Sequence, residues 1–161
     1  MKVNTLTPQE KSVIEDKGTE RPFSGEYDNF YKPGMYVCRK CDNPLYSSKT
    51  KFDAGCGWPA FDDHVPGSIK EYKGLFSLWS EIECTRCGGH LGHVFRGEGF
   101  TETDTRHCVN SLSIKFVPDS SRRWRQRVLL GLWEKWGASC GLRDYPTQLG
   151  RKAYFWWPLV T

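Results

Sequence analysis

Thr105-Arg106-His107-Cys108-Val109-Asn110-Ser111-Leu112-Ser113-Ile114-Lys115-Phe116 is the stretch around which the chain is organised. From Leu112 onward, apolar Leu112, Ile114 and Phe116 alternate with polar Ser113 and Lys115, the period-two pattern of a half-buried strand. Continued backwards, one strand gives Arg106, Cys108 and Asn110 a common face, so a thiol stands between a guanidinium and an amide. The thiolate is the reactive form of cysteine, and at an ordinary pKa of about 8.5 only roughly 3% is ionised at pH 7. A neighbouring cation, Arg106 or a protonated His107, would have to lower that value by about 1.5 to ionise half the population, for about 2 kcal/mol. The same residues also suit a buried cysteine that acts as a small hydrophobe on a core strand.

A chain of 161 residues has room for one domain with its own core and an appended segment. Aromatic content of 14% and 16 glycines, with strand-like runs between Gly, Pro, Asn and Asp, favour a mainly β domain over a helical bundle. The net charge of +4 hides an asymmetry: residues 119–161 carry eight Lys and Arg against three Asp and Glu, or +5, which leaves −1 for residues 1–118. The body therefore offers no basic face for nucleic acid. Seven cysteines cannot all pair within one chain, and four of them form two Cys-x-x-Cys pairs, a pattern that points to metal in a reducing compartment. The opening residues lack a signal peptide's apolar core, and Glu10, Glu15 and Asp16 do not suit a transit peptide. No apolar run approaches the ~20 residues needed to span a bilayer, so the expectation is a soluble, cytoplasmic protein.

Thr7-Pro8-Gln9-Glu10 is a capping-box pattern with proline at the first helical position, which predicts a short helix from Pro8 to about Asp16 that Gly18 ends. Residues 18–27 hold too many breakers for regular structure and are expected to wrap the body through Phe23 and Tyr27, with no chemistry of their own. Met35-Tyr36-Val37 leads into Cys38-Arg39-Lys40-Cys41, read as strand, tight turn and strand. Cys84-Thr85-Arg86-Cys87 repeats the pattern after 42 intervening residues, and both turns place residues tolerant of positive φ just after the second cysteine. Two such knuckles make one four-thiolate site, Cys38, Cys41, Cys84 and Cys87, for which a structural Zn2+ with no open position fits best. Two disulfides or free thiols are the alternative.

Between the knuckles, Gly55-Cys56-Gly57-Trp58-Pro59-Ala60-Phe61 is a glycine-flanked loop with an unassigned cysteine and two large aromatics. It reads as a core-capping turn with Trp58 and Phe61 tucked inward, or as a pocket wall at Trp58 with Cys56 as a mobile second thiol. Alternation resumes over 78–83 and again over 90–95, where His90 and His93 have no evident third metal ligand and suit core histidines as well as a site. Residues 97–105 form a polar connection into the Cys108 strand.

In this order, Gly-Cys-Gly-Trp-Pro-Ala-Phe, two Cys-x-x-Cys pairs, Gly-His-Leu-Gly-His-Val-Phe and Arg-His-Cys-Val-Asn-Ser together resemble the B-type methionine-R-sulfoxide reductases, the MsrB or SelR family. The resemblance covers about residues 5–118. It implies two antiparallel sheets in a distorted, barrel-like β-sandwich, a few short N-terminal helices and a structural zinc away from the active site. It also implies a monomer that reduces methionine-R-sulfoxide, free or in oxidised proteins, and is recycled by a thioredoxin-type reductant. By the same resemblance Cys108 is the catalytic thiol and Cys56 the resolving one, with His93, Arg106 and Asn110 as catalytic polar groups. Trp58 walls the substrate methyl group, with His90 and Phe61 in substrate binding. Two departures stand out: His107 replaces the Tyr or Phe of many relatives, and the loop 96–105 lacks the Gly-Pro-rich wording of the family.

Residues 119–161 lie beyond the resemblance. Arg122 to Trp136 carries Leu129, Leu132, Trp133 and Trp136 at helical spacing, a basic amphipathic pattern for a membrane or partner, with a self-packed or disordered extension as the alternative. Cys140 there is read as a bystander. The rival for the whole chain is a noncatalytic zinc-knuckle module whose basic tail contacts nucleic acid or membrane, which leaves Cys56, Trp58 and Cys108 without a task. A zinc deaminase fails for want of a His-x-Glu element.

Overall fold

The computed structural model describes residues 2–73 and 79–119, and within them nine strands form two antiparallel sheets. The strands are β1 (Gly34–Cys38), β2 (Pro44–Ser47), β3 (Lys51–Phe52), β4 (Ala60–Phe61), β5 (Ile69–Lys73), β6 (Ser80–Cys84), β7 (His90–Arg96), β8 (Thr105–Val109) and β9 (Ile114–Pro118). The smaller sheet runs β2-β1-β9 and the larger β3-β4-β8-β7-β6-β5. The mainly β expectation therefore holds, with two sheets and no closed barrel. The basic helix read over 122–136 and Cys140 lie outside the described residues.

One α-helix stands before the sheets, α1 (Pro8–Ile14), where the resemblance implied several. Its start follows the sequence: the Thr7 hydroxyl accepts from the Glu10 N–H while the Glu10 carboxylate accepts from the Thr7 N–H. It ends at Ile14, two residues before Asp16. Lys17, at φ 58, takes the left-handed position, and the Gly18 N–H donates to the Ser12 carbonyl at 2.9 Å.

The core fills the space between the sheets. Tyr46 stacks on Phe61 at 4.3 Å, and Phe61 meets Tyr36 edge to face at 5.1 Å. Around them pack Leu45, Ile82, Leu91, Val94, Val109 and Ile114, all buried. The two knuckles are near copies: Asp42 and Gly88 donate to the Cys38 and Cys84 carbonyls, and both take left-handed φ values, 59 and 67.

The stretch from Thr105 to Phe116 is not one strand. It forms β8 in the large sheet, turns through a 3-10 segment (Ser111–Ser113), and continues as β9 in the small sheet. The alternation from Leu112 misreads that corner, since Leu112 is half-buried while Ser113 is wholly buried. The physical reason is Glu20. Its carboxylate accepts from the Ser111 N–H at 2.6 Å and the Leu112 N–H at 3.1 Å, so these donors are satisfied outside any ladder and the backbone is free to turn.

Residues 20–27 strap that corner. The Ser111 hydroxyl accepts from the Tyr27 N–H, and the Tyr27 hydroxyl accepts from the Phe116 N–H. Tyr27 is buried as expected, but Phe23 is not: its ring is 71% exposed and its φ of 61 is left-handed, an outlier for a bulky side chain. The Phe23 N–H is committed to the Gly57 carbonyl at 2.7 Å, which fixes the backbone and turns the ring outward.

Removing the Glu20 carboxylate leaves two buried N–H groups without an acceptor. Glu20→Ala should cost about 2–4 kcal/mol and Glu20→Gln roughly half of that, as read by urea denaturation. A change of Glu20→Ala below about 0.5 kcal/mol would show that the corner holds itself.

Candidate active site

Cys108 sits in the middle of the large sheet, opposite Ala60 of β4 on one side and His93 of β7 on the other. That register sets a nucleophile-type residue and an imidazole side by side without help from any loop. The approach of β7 to β8 is close at Gly92, where a Cβ would run into the Cys108 carbonyl. Only glycine fits at that crossing.

The second sulfur arrives on a turn. Asp53 accepts from the Gly55 N–H at 2.8 Å, and left-handed Gly55 and Gly57 bracket Cys56. The turn is pinned on its far side, where the Trp58 indole N–H donates to the Glu20 carbonyl at 3.1 Å. The Cys56 sulfur then lies 3.9 Å from the Cys108 sulfur, and both cysteines are free thiols.

These residues enclose a cavity of about 140 Å3 lined by Thr19, Trp58, Gly92, His93, Phe95, Cys108 and Asn110. Asn110 is nearly inaccessible. Its Oδ1 accepts from the Glu20 N–H at 3.1 Å and its amide nitrogen donates to the Leu91 carbonyl at 3.2 Å, which commits the oxygen to the scaffold. Burial holds His93 below its ordinary pKa, so at neutral pH it is mostly the neutral imidazole.

A hydrogen bond between the two sulfurs couples their titrations. The hydrogen bond from Cys108 pulls the Cys56 thiol down to about 6 against the opposing effect of burial, with smaller help from the Trp58 backbone and Arg106. The same bond, with burial, pushes Cys108 up. Arg106 pulls Cys108 the other way, but more weakly than those two. Arg106 thus acts on Cys108 in the expected direction, but the first negative charge belongs to the coupled pair and not to Cys108 alone.

The reading of His107 as a cation is corrected, and Arg106 has a partner of its own. His107 points away from the thiols: its Nδ1 lies 3.4 Å from the Tyr46 hydroxyl and its ring 5.1 Å from that of His64. Burial, then His64, pushes it down to about 4, so it supplies no charge. Arg106 does share the face of Cys108, but Glu98 grips it with both oxygens, at 2.7 and 2.8 Å, between the rings of Phe95 and Phe100. Glu98 was not singled out in the sequence, where nothing in a polar glycine-rich loop distinguishes it.

Two other residues assigned to substrate binding are elsewhere. Phe61 is wholly buried in the core, and His90 is 1% exposed behind His93, with ring centroids 5.6 Å apart. Neither lines the cavity. Thr19 and Phe95 do, and neither was read as a site residue.

The second cysteine group is the knuckle cluster. The Sγ atoms of Cys38, Cys41, Cys84 and Cys87 all lie within 4.8 Å of one another, with Cys38 to Cys87 at 3.6 Å and Cys41 to Cys84 at 3.7 Å. Four sulfurs held tetrahedrally at about 2.3 Å from one ion stand about 3.8 Å apart, so the spacing suits a metal. Burial pushes the Cys41 thiol up to about 12, so four thiolates here call for a cation at their centre. The Asn43 amide donates to the Cys84 sulfur at 3.6 Å, the kind of outer hydrogen bond that orients a ligand.

Comparison with known proteins agrees with this arrangement. The SelR domain model matches residues 6–118. Peptide methionine sulfoxide reductase B5 of Oryza sativa subsp. japonica is 56% identical over 116 residues, covering 71% of this chain and 85% of the relative. Peptide methionine sulfoxide reductase B3 of Arabidopsis thaliana is 56% identical over 117 residues, 72% of this chain and 66% of the relative. The chloroplastic B2 protein of Arabidopsis thaliana is 53% identical over 116 residues, 71% of this chain and 57% of the relative. The chain thus spans less than two thirds of the length of two of these three relatives. Since the match takes in both knuckles, the Cys56 turn and the Cys108 strand, the chain belongs to the SelR domain family, that of the B-type peptide methionine sulfoxide reductases.

Proposed function

We propose that this chain reduces methionine-R-sulfoxide, in peptides or free, to methionine, with Cys108 as nucleophile and Cys56 as resolving thiol. It is an oxidoreductase of the peptide methionine sulfoxide reductase B type. The observation that carries the residue assignment is the 3.9 Å separation of two free sulfurs beside a cavity walled by Trp58, His93 and Phe95. A noncatalytic zinc-knuckle module has no use for that pair.

In the proposed sequence the proton on Cys108 passes to Cys56 and the Cys108 thiolate attacks the sulfoxide sulfur. His93, next to Cys108 across the β7–β8 ladder, hands a proton to the sulfoxide oxygen as the sulfur–oxygen bond breaks. Depressed by burial, its imidazolium is a stronger acid than a free one. The hydroxyl so formed passes to the Cys108 sulfur as the bond between the two sulfurs breaks, methionine leaves with that bond's electron pair, and Cys108 is left as a sulfenic acid. The Cys56 thiol condenses with it, water leaves, and a Cys56–Cys108 disulfide forms. A thioredoxin-type dithiol then reduces that disulfide and is itself oxidised. Arg106, paired with Glu98, biases the sulfurs toward the thiolate, and Asn110 with Trp58 fixes the methyl side of the cavity. A cavity with fixed places for methyl and oxygen accepts one sulfur epimer.

Zinc is the metal assigned to the four-cysteine cluster, where it would fasten the β1–β2 turn to the β6–β7 turn and perform no chemistry. Thiolate chemistry of this kind belongs in a reducing compartment, which agrees with a cytoplasmic location. No described helix is long and apolar enough to cross a membrane. The reading divides the chain into a catalytic body, residues 1–118, and an extension, residues 119–161, that takes no part in the reaction.

Offered the two epimers separately with dithiothreitol, the protein should turn over the R form and leave the S form. Cys108→Ser should abolish this with metal content unchanged; retained turnover would remove the assignment. Cys56→Ser should still release about one equivalent of methionine per enzyme but lose thioredoxin-driven cycling, and undiminished cycling would point to another thiol. Alkylation of the reduced pair by iodoacetamide should rise with pH to a plateau with its midpoint at about 6, because below that value both sulfurs hold their protons. Arg106→Gln should move the midpoint upward, and a wild-type midpoint near 8.5 would contradict the coupled pair. Elemental analysis should find one zinc per chain. Stripping it with a strong chelator should remove on the order of 10 kcal/mol and abolish the cooperative thermal transition; an unchanged melt after metal loss would deny it an architectural role.

A further inference from the structure

The cavity takes one side chain and little more. At about 140 Å3 it is filled by the oxidised side chain itself, and the rest of any peptide that carries that side chain must lie outside. What it meets there is aromatic. Three well-exposed rings lie near residues that line the cavity: Trp79 at 47%, Phe100 at 53% and Phe23 at 71%.

Each is linked to a lining residue, directly or through one neighbour. The Trp79 ring lies 6.2 Å from Phe95 and 6.4 Å from His93, both lining residues. The Arg106 guanidinium is 4.3 Å from the Phe95 ring and 5.8 Å from that of Phe100, and Phe100 is backed by Phe52 at 6.1 Å. Phe23 lies against the turn that carries Cys56, where a Cβ on Gly57 would come within 3.0 Å of its ring. The charge of Arg106 is already matched by Glu98, so the rim offers contact area more than charge. Phe23 adds a second feature, a left-handed backbone held by the Gly57 carbonyl that leaves its ring in solvent.

Resting on the reading that Cys108 reduces methionine sulfoxide, we propose that Phe23, Trp79 and Phe100 form an apolar collar that binds the residues flanking an oxidised methionine in an extended polypeptide. Among peptide-borne methionine sulfoxides, those with apolar neighbours are then preferred. Large flat rings at low conformational cost suit varied apolar partners, and a cluster of them on a soluble surface marks a contact site.

The test measures kcat/KM of the full-length enzyme with dithiothreitol for three R-sulfoxide substrates: the free amino acid, the blocked tripeptide Phe-MetO-Leu and the blocked tripeptide Ser-MetO-Gly. The apolar tripeptide should exceed the polar one by about tenfold. Trp79→Ser and Phe100→Ser should each lower the ratio of apolar-peptide to free-amino-acid turnover by about three- to tenfold. Phe23→Gly should lower the same ratio while holding or raising the thermal midpoint, because glycine tolerates the left-handed φ. Equal values for the two tripeptides, or ratios that none of the three variants changes, would overturn the collar and leave the reduction chemistry standing. No turnover of any of the three substrates would overturn the reading beneath it.

Discussion

The buried carboxylate of Glu20 holds the corner at which the chain leaves one sheet for the other, and the groups around Cys108 are referred to the same residue. The side chain of Glu20 satisfies the Ser111 and Leu112 amides, its own N–H fixes the Asn110 side chain, and its carbonyl receives the Trp58 indole. One residue thus sets the end of the Cys108 strand, one wall of the cavity and the indole beside it. Without that carboxylate the Ser111 amide would be an unpaired buried donor and the Leu112 amide a partly buried one. The site is consequently as rigid as the fold, because both are built on the same hydrogen bonds.

Six cysteines among the described residues divide into two groups with opposite requirements. In the knuckles, four sulfurs at tetrahedral spacing are buried where several negative charges cannot coexist without a cation, and left-handed Asp42 and Gly88 aim them inward. At the cavity, two sulfurs at 3.9 Å form one coupled pair, one on a strand and the other on a glycine-bracketed turn. In the proposed function the same element serves as an architectural ligand in one place and as a redox centre in the other. What separates the two places is the number of sulfurs brought together.

Much of this could be read from local sequence because local sequence causes it. The capping box at Thr7 and Glu10 and the two knuckles are satisfied within a few residues, and the strand parity of Arg106 and Cys108 follows from the pleat. The break at Ser111 could not be read, because its cause lies 91 residues away in Glu20, and the alternation of residues 112–116 imitates a continuous strand. The same parity that unites Arg106 with Cys108 sends His107 to the other face, into burial against Tyr46, which rules out the imidazolium expected there. Phe61 and His90 stand beside true cavity residues in sequence, yet their burial depends on the facing sheet and on a ring stacked in front. Glu98 and Phe23 draw their importance from partners in space, Arg106 and the Gly57 turn, that no periodicity announces.

Gly92 carries a consequence for how such a cavity can change. Backbone meets backbone there with no room for even a methyl group, so the floor beneath the sulfur is closed to variation. Loops, by contrast, accept substitution without disturbing a ladder. Any adaptation of this scaffold to new targets has therefore to be written at its mouth, in the turns and connections that surround an unalterable base.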